Sequence, residues 1–499
     1  MEIDENTTPS TRDIIHAGFE NLGRAKELLS EVCSAGDLEL TQRELLGELA
    51  HCADPDVALD ALHELIISFA DRPGKLHGLL HGRSPRTLLQ VLGASRQLGV
   101  LMRSRPELVE AAAVDSLHSA GFDGEARRAT MLAAIDAHEE QLGAADSSDS
   151  SFRRLITDVP LAEATNRLRR NYYEQLAAIM AYDVSHDDPI AIQPAVSRAL
   201  SDLADAALES ALAIAQSNTE ESELLRFTII GMGKLGAQEL NYVSDVDLIY
   251  VVEPMAETMS QPQLVKVGSK IAMLMQKICQ SVMPNVMEPA LWQIDGALRP
   301  EGKDGPLVRR LDSHKAYYRQ WAESWEFQAL LKARAVAGDV PLGEAYMQMA
   351  SEFVWQASRR ENFVSDCQRM RERVESLIPV PLRDREIKLG RGGLRDVEFT
   401  VQMLQLVHGR ADETLHVRST LQALQALSDG GYVSRRHARV LSHDYRFERV
   451  LEHRQQMWQL KRTHLFPDMG NANAGGLEKK RTVNVEELSR NAELHRLAR

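Results

Sequence analysis

FTIIGMGKLGAQELNYVSDVDLIYVV, residues 227–252, decides how this chain is read. An apolar, β-branched run leads into Gly231, Gly233 and Gly236, and VDLIYVV (246–252) is a second apolar run. The pattern predicts a strand, a glycine turn and a second strand. Glycines just after a strand let the backbone approach a ligand closely, and successive N–H groups can cradle phosphate oxygens. Lys234 adds a mobile cation to that turn. Dinucleotide-binding folds share Gly-x-Gly-x-x-Gly, but they continue with a long helix and a strand carrying an acid about 20 residues on. Here Ser244-Asp-Val-Asp-Leu follows the turn almost at once.

Asp245 and Asp247 stand two apart at the start of the second strand, so period-two geometry points both carboxylates to one face. Two like charges on one face call for a cation, and magnesium is the natural one because it takes hard oxygen ligands and leaves room for phosphate. Two-metal phosphoryl chemistry wants a third carboxylate. Asp295 in LWQIDGALRPEGKDGPLV (291–308) is the best candidate, with Arg299 placed to clamp a phosphate bidentately and Lys303 nearby. A glycine turn, an Asp-x-Asp on the next strand and a third Asp on a later strand resemble the nucleotidyltransferase superfamily.

Outward from this stretch the chain reads as helical. Residues 10–145 show apolar spacings of three and four, AADSSDSSF (144–152) is a composition break expected as a linker, and 153–216 is a long helical stretch. Sheet signals are confined to about 222–340, with a third strand expected within ALWQIDGAL (290–298). From 341 onward the pattern is helical again, with a Gly-rich break at 470–476. The expected fold class is α+β: a small-sheet nucleotidyltransferase domain embedded between mostly helical domains. The divisions expected are 1–152, 153–345 (sheet core about 222–340) and 346–499.

Lys and Arg number 58 against 72 Asp and Glu, a formal net charge of −14 over 499 residues. Residues 381–499 carry 21 Lys/Arg against 15 Asp/Glu, a net +6, which leaves −20 on residues 1–380. That acidity around the sheet domain argues against a nucleic-acid enzyme, which carries a basic track. Cys33, Cys52, Cys279 and Cys367 form no Cys-x-x-Cys pair, so free thiols in a reducing cytoplasm are expected. The opening MEIDENTTPSTRD does not read as a signal peptide, and no apolar run approaches the roughly 20 residues of a membrane helix.

GMGKLGAQELNYVSDVDLIYV, DGALRPEGKDGPL, WEFQALLKARAVAGD and KLGRGGLRDVEFTVQMLQLVHGR, in that order, resemble the bifunctional glutamine synthetase adenylyltransferase/adenylyl-removing enzymes over most of residues 80–499. The resemblance implies two catalytic halves, one attaching AMP from ATP to a tyrosine of glutamine synthetase. The other removes it with inorganic phosphate and releases ADP. It also implies magnesium as cofactor and a PII signal protein as regulator. Glu239-Leu240-Asn241 before the Ser-Asp-x-Asp resembles the adenylyl-removing half, since the transferase half tends to carry Gly at the Asn position. By matching positions, Asp245, Asp247 and Asp295 are implied as metal-binding and catalytic carboxylates. Gly231, Gly233, Lys234, Gly236, Ser244 and Arg299 are implied to line the nucleotide phosphates. The family often has Arg two residues after the third Asp, where Ala297 stands here. With one Asp-x-Asp site, the chain is expected to be an N-terminal piece holding one of the two activities.

Other residues are less decided by the sequence. Glu398 in GRGGLRDVEF is a candidate additional acid, while Asp396 reads as a helix-start residue. Tyr317, Trp321 and Trp325, at i, i+4 and i+8, are expected as a core stripe of one helix. Lys332 and Arg334 are candidates for phosphate contact or for solvent. Arg446, Arg449, Arg454, Lys461 and Arg462 are expected on a solvated helix face, with a partner-docking surface as the alternative, in a region resembling the helical domain of PII-modifying uridylyltransferases. His416, His443, His453 and His464 show no metal-ligand spacing. Three readings stay open: phosphorolytic removal of AMP, attachment of AMP from ATP, and a non-catalytic module sensing nucleotide or PII.

Overall fold

The computed structural model describes residues 8–71, 74–81, 83, 85–113, 123–142, 152–256, 259–467 and 496–497. The N-terminal region is helical because it supplies start signals at short intervals. Ser10 and Thr41 each close a capping box with Asp13 and Glu44, and Asp54, Ser95 and Asp123 cap later helices through their side-chain oxygens. The leucines of these helices enter a core that continues unbroken into one face of the sheet domain.

β1 (His138–Leu142) and β2 (Phe152–Ile156) pair antiparallel, His138 opposite Ile156 and Leu142 opposite Phe152. This hairpin was expected as helix and linker. Residues 143–151, which hold most of the expected linker, lie outside the described residues, and the pairing on either side of them runs across the boundary expected at 152. HEEQL and FRRLI show no apolar alternation. Cross-strand charge holds them: Arg154 donates to Glu140 at 2.6 Å directly opposite, and Arg153 to Glu139 at 2.8 Å.

Two long helices, Leu161–Ser185 and Pro189–Ser217, carry the sheet domain. The second is buried around most of its circumference, which its Ala/Leu composition permits. Arg169 on the first is almost fully buried, and its guanidinium donates to the carbonyls of Ile278, Ser281 and Glu288 at 2.7–3.0 Å. It thereby satisfies the C-terminal end of the Gln261–Gln280 helix that backs the sheet.

The main sheet contains β3 (Leu225–Gly231), β4 (Val246–Pro254), β5 (Ile294–Asp295), β6 (Val308–Arg309) and β7 (Arg334–Gly338). Its order is β5-β4-β3-β7, with β6 also pairing β4. β3 and β4 are antiparallel, Gly231 opposite Leu248. β5 runs parallel to β4 and sets Asp295 in register with Asp247. The third expected strand is therefore real but only two residues long, and β6 and β7 were not expected. β7 was expected as the end of one helix from His314. That helix instead stops at Gln320, and a second starts at Ser324 because Glu323 and Glu326 form a capping box.

The sheet divides its side chains by parity. Ile229, Leu248 and Tyr250 join the large core, whereas Ile230, Ile249 and Val251 face Tyr318, Phe327, Leu330 and Tyr346 on the other side. Asp245 and Asp247 share the parity of Ile249 and Val251. They open onto the second face just beyond the point where its apolar packing ends. Helices Leu394–His408, Thr420–Asp429 and Arg435–Gln459 form a third small core. Leu460 adopts φ 46°, and the chain then returns beside residues 385–387, with Ile387 N–H donating to His464 O at 3.0 Å and Phe466 N–H to Arg385 O at 2.7 Å. The Gly-rich break at 470–476 lies outside the described residues.

Candidate active site

β3 delivers the chain into the glycine turn, and Met232 N–H donates to Asp247 O at 2.8 Å, which locks the turn to the start of β4. The three glycines do different work. A Cβ on Gly236 would stand 1.9 Å from Lys332 O, and one on Gly231 2.8 Å from a Val336 methyl, so these two permit close packing against β7 and its approach. Gly233, at φ +53°, would place a Cβ 2.9 Å from an Asp247 carboxylate oxygen, and of the three it alone lines the cavity beside the aspartates.

That cavity measures about 380 Å³, within the usual size for small-molecule sites. Asp245, Asp247, Asp295, Ser244, Gly233 and Lys234 line it from the sheet side. Lys332, Lys388, Arg395 and Glu398 line it from elsewhere in the chain, with Arg462 from the returning tail and an apolar portion of Leu298, Trp325, Met370, Val374 and Phe399. The Asp247 carboxylate accepts no hydrogen bond from the described residues. Burial, with the charge of Asp295 adding to it, pushes its pKa up to about 6. Asp295 accepts from Ala297 N–H at 2.8 Å, so the backbone at 297 engages the third aspartate although no arginine stands there. Asp245 is paired with Arg462.

Lys234 was expected as a mobile cation. It is buried instead, with its ammonium 2.9 and 3.0 Å from the Glu452 oxygens and 3.1 Å from Asn241 Oδ1. Glu452 and Arg449 form a second, fully buried ion pair. Burial would raise the Glu452 pKa, but Lys234 and Arg449 outweigh it and hold the carboxyl well below its usual range. Lys234 bears the cost: burial and the neighbouring Arg449 drive its ammonium well below the ordinary lysine range. The Arg435–Gln459 helix thus faces inward at Arg449, and the solvated face expected for its arginines does not describe it. Arg454 likewise reaches inward to Asp183 at 3.0 Å.

Arg299 and Lys303 are not brought to this cavity. The Arg299 guanidinium donates to the carbonyls of Gly296, Lys303 and Gly305 at 2.7–3.2 Å and holds the loop after Asp295 in shape. The phosphate clamp expected of it is corrected: its donors are consumed locally. Arg334 is also elsewhere, bidentate with Asp205 at 2.6 and 3.0 Å. Lys332 does reach the cavity, buried and bonded to Glu239 at 2.9 Å and Thr420 Oγ1 at 3.0 Å.

Glu398 lines the cavity, accepting from Arg395 at 3.1 Å and the Tyr445 hydroxyl at 3.3 Å. Burial would raise its pKa, but Lys332, Arg395, Lys234 and Lys388 together hold it at about 2. Asp396, two residues earlier, turns away to Arg371 and Gly392 N–H, as a helix-start acid does. The aromatic stripe does not form. Trp321 follows the helix end and is 69% exposed, and Trp325, from the next helix, lines the cavity.

Lys388, which opens KLGRGGLRD, carries no local signal of a place in this cavity. Among the described residues its ammonium makes no hydrogen bond and no ion pair, and burial lowers its pKa. Glu452 carries little signal of its own, being one of two acids, with Glu448, among the arginines of RFERVLEHR. The residues Glu239 and Asn241 acquire a structural meaning. Glu239 receives Lys332, Ser419 and Thr420, and Asn241 links Lys234 to Gln456. A glycine at 241 would lose both links. Among the described residues no three His, Cys, Asp or Glu side chains are gathered closely enough to hold a metal ion.

A family model described as glutamate-ammonia ligase adenylyltransferase matches residues 86–349, and one described as GlnD PII-uridylyltransferase matches 368–497. The chain is similar to the bifunctional glutamine synthetase adenylyltransferase/adenylyl-removing enzyme of Bifidobacterium longum subsp. infantis, 58% identical over 98% of this chain and 45% of that protein. The enzymes of the same name from Cutibacterium acnes and Corynebacterium glutamicum are 45% and 41% identical, over 84% and 85% of this chain and 41% of each relative. The chain therefore spans less than half the length of the curated relatives it matches.

Proposed function

The chain belongs to the glutamate-ammonia ligase adenylyltransferase family, and from that premise we propose that it removes AMP from an adenylylated tyrosine of glutamine synthetase by phosphorolysis. One observation carries the reading. Three aspartates, of which Asp247 and Asp295 stand in register on adjacent strands, share a single cavity with a lysine, Lys388, whose ammonium has no hydrogen-bond or ion-pair partner among the described residues. The aspartates suit a metal that neutralises an adenylyl phosphate, and the lysine suits a second, incoming anion.

In this mechanism Lys388 and Arg395 hold inorganic phosphate, and Trp325 and Phe399 receive the adenine. A phosphate oxygen forms a bond to the adenylyl phosphorus as the bond to the tyrosine oxygen breaks in line. The phenolic oxygen takes the electron pair and a proton, and ADP is released. Magnesium, when bound, supplies charge neutralisation and alignment at the phosphoryl oxygens. The residues fit such an ion: Asp247, which accepts no hydrogen bond among the described residues, stands beside a second carboxylate, Asp295, and all donors are hard oxygens. Completing the set requires Asp245 to leave Arg462. We therefore predict that Arg462→Ala lowers the magnesium concentration needed for half-maximal activity by up to about fivefold, because a half-exposed ion pair is worth about 1 kcal/mol or less. An unchanged or higher requirement counts against Asp245 as a ligand.

The direct test is incubation with adenylylated glutamine synthetase, phosphate and magnesium. ADP is the expected product, AMP would mean hydrolysis, and no nucleotide release would sink the proposal. Transfer of AMP from ATP is the second reading, favoured by the description of the matching family. Incorporation of label from ATP into unmodified glutamine synthetase, without ADP release in the first assay, would select it. We further propose a PII signal protein as a partner of the C-terminal helices, on the strength of the second family match, and a cytoplasmic setting, with which four free cysteines agree. Among the described residues no helix is long and apolar enough to cross a membrane.

A further inference from the structure

We infer that the seam between the sheet domain and the C-terminal helices holds a second binding site, for a small, multiply charged anion. A cavity of about 500 Å³ lies there, and Glu239 on its wall bonds Lys332 of the aspartate cavity. Five arginines line it, and Glu239 is its single carboxylate. That carboxylate is already spent on Lys332, Ser419 and Thr420. The positive charge is only partly used within the protein. Arg334 is satisfied by Asp205. Arg418 spends its Nε on Ala333 O at 2.7 Å. Among the described residues Arg198 and Arg446 make no hydrogen bond and no ion pair within 4 Å.

A second, independent observation points to a ligand rather than to a basic surface. Among the described residues, three buried side-chain atoms along this wall have no hydrogen-bond partner: Gln193 Oε1, Arg446 Nε and Arg449 Nε. Gln193 is 3% exposed and Arg449 fully buried. Among the described residues the Gln193 amide bonds Ser197 Oγ alone, at 2.7 Å, so either orientation of the amide leaves one polar atom unmet. Buried polar atoms without partners are rare in native proteins, and these three belong to residues that line one cationic cavity. Planar guanidinium groups favour phosphate or carboxylate over a simple halide. Arg449 also binds Glu452, which holds Lys234 of the first cavity, so one buried ion-pair network touches both cavities.

Binding here does not depend on which reaction the first cavity performs. The probes are pyrophosphate and citrate, titrated calorimetrically without magnesium into the intact 499-residue chain. Wild type is compared with Arg198→Gln/Arg446→Gln and with Lys388→Gln. The double variant is expected to lose about tenfold or more in affinity for at least one probe, while Lys388→Gln retains it. Loss for pyrophosphate alone identifies a phosphate-bearing ligand, and loss for citrate alone a polycarboxylate. Unchanged binding of both probes in the double variant, or an equal loss in Lys388→Gln, overturns the site. Among the described residues neither Arg198 nor Arg446 bonds another element, and an unaltered melting temperature of the anion-free double variant separates lost binding from lost fold.

Discussion

Asp247→Asn is expected to abolish turnover, by about a thousandfold or more, while making the fold more stable above pH 6. The loss corresponds to about 4 kcal/mol of transition-state stabilisation, an ordinary share for a metal-holding carboxylate in phosphoryl transfer. The gain follows from linkage. The folded-state pKa of Asp247 is raised from 3.8 to about 6, so the folded protein resists its ionisation. Below pH 3.8 the carboxyl is neutral in both states and the penalty is absent. As the pH rises through 6 the penalty develops in full, on the order of 3 kcal/mol. The Asn variant escapes it, so its melting temperature should exceed that of wild type at pH 8 and the two should converge below pH 4. Magnesium should raise the melting temperature of wild type more than that of the variant, since an ion bound at Asp247 stabilises the folded state alone. Near-normal turnover in a folded Asp247→Asn protein would remove Asp247 from the chemistry.

Glu452→Gln is expected to cost about 3–5 kcal/mol of stability, because it leaves Lys234 and Arg449 as two buried cations without their shared anion. The pH dependence has the opposite sign to that of Asp247. The folded-state pKa of Glu452 is depressed, so its contribution is present above the unfolded-state value of about 4.5 and is lost as the pH falls through the folded one. The variant should therefore lack that part of the acid dependence. It should also weaken activity, since Lys234 loses the partner that fixes it beside the aspartates. Denaturant unfolding at pH 7 and pH 4 measures the first effect. A variant as stable as wild type at both values would show that the triad is not held as a charged unit.

The two residues differ in how far the sequence reveals them. Asp247 was legible because its partners are local: the glycine turn and Asp245 lie within 16 residues of it, and the period of a strand fixes their common face. Glu398 was legible in part, since the helical period separates it from Asp396, and the cavity received Glu398 alone. Arg299 misled because its spacing from Asp295 suits a phosphate clamp, whereas the three carbonyls that consume its donors appear only when the 296–305 loop closes. The β1–β2 hairpin and β7 escaped notice for a related reason. Their residues carry no strong strand pattern, and they pair because neighbouring elements present an edge or an opposite charge.

By itself the sequence determined the α+β class, the strand–turn–strand unit and the three aspartates, since these depend on alternation, glycine and contacts a few residues apart. The tertiary structure alone decided what faces those aspartates. Lys388, Glu452 and Arg462 come from more than 90 residues beyond Asp295, and a charge that distant acquires its meaning only from the partner that folding sets beside it. The same physics turned Lys234 from an expected mobile cation into a buried one. A lysine ammonium removed from water must find an anion, and the anion that meets it belongs to the last described helix.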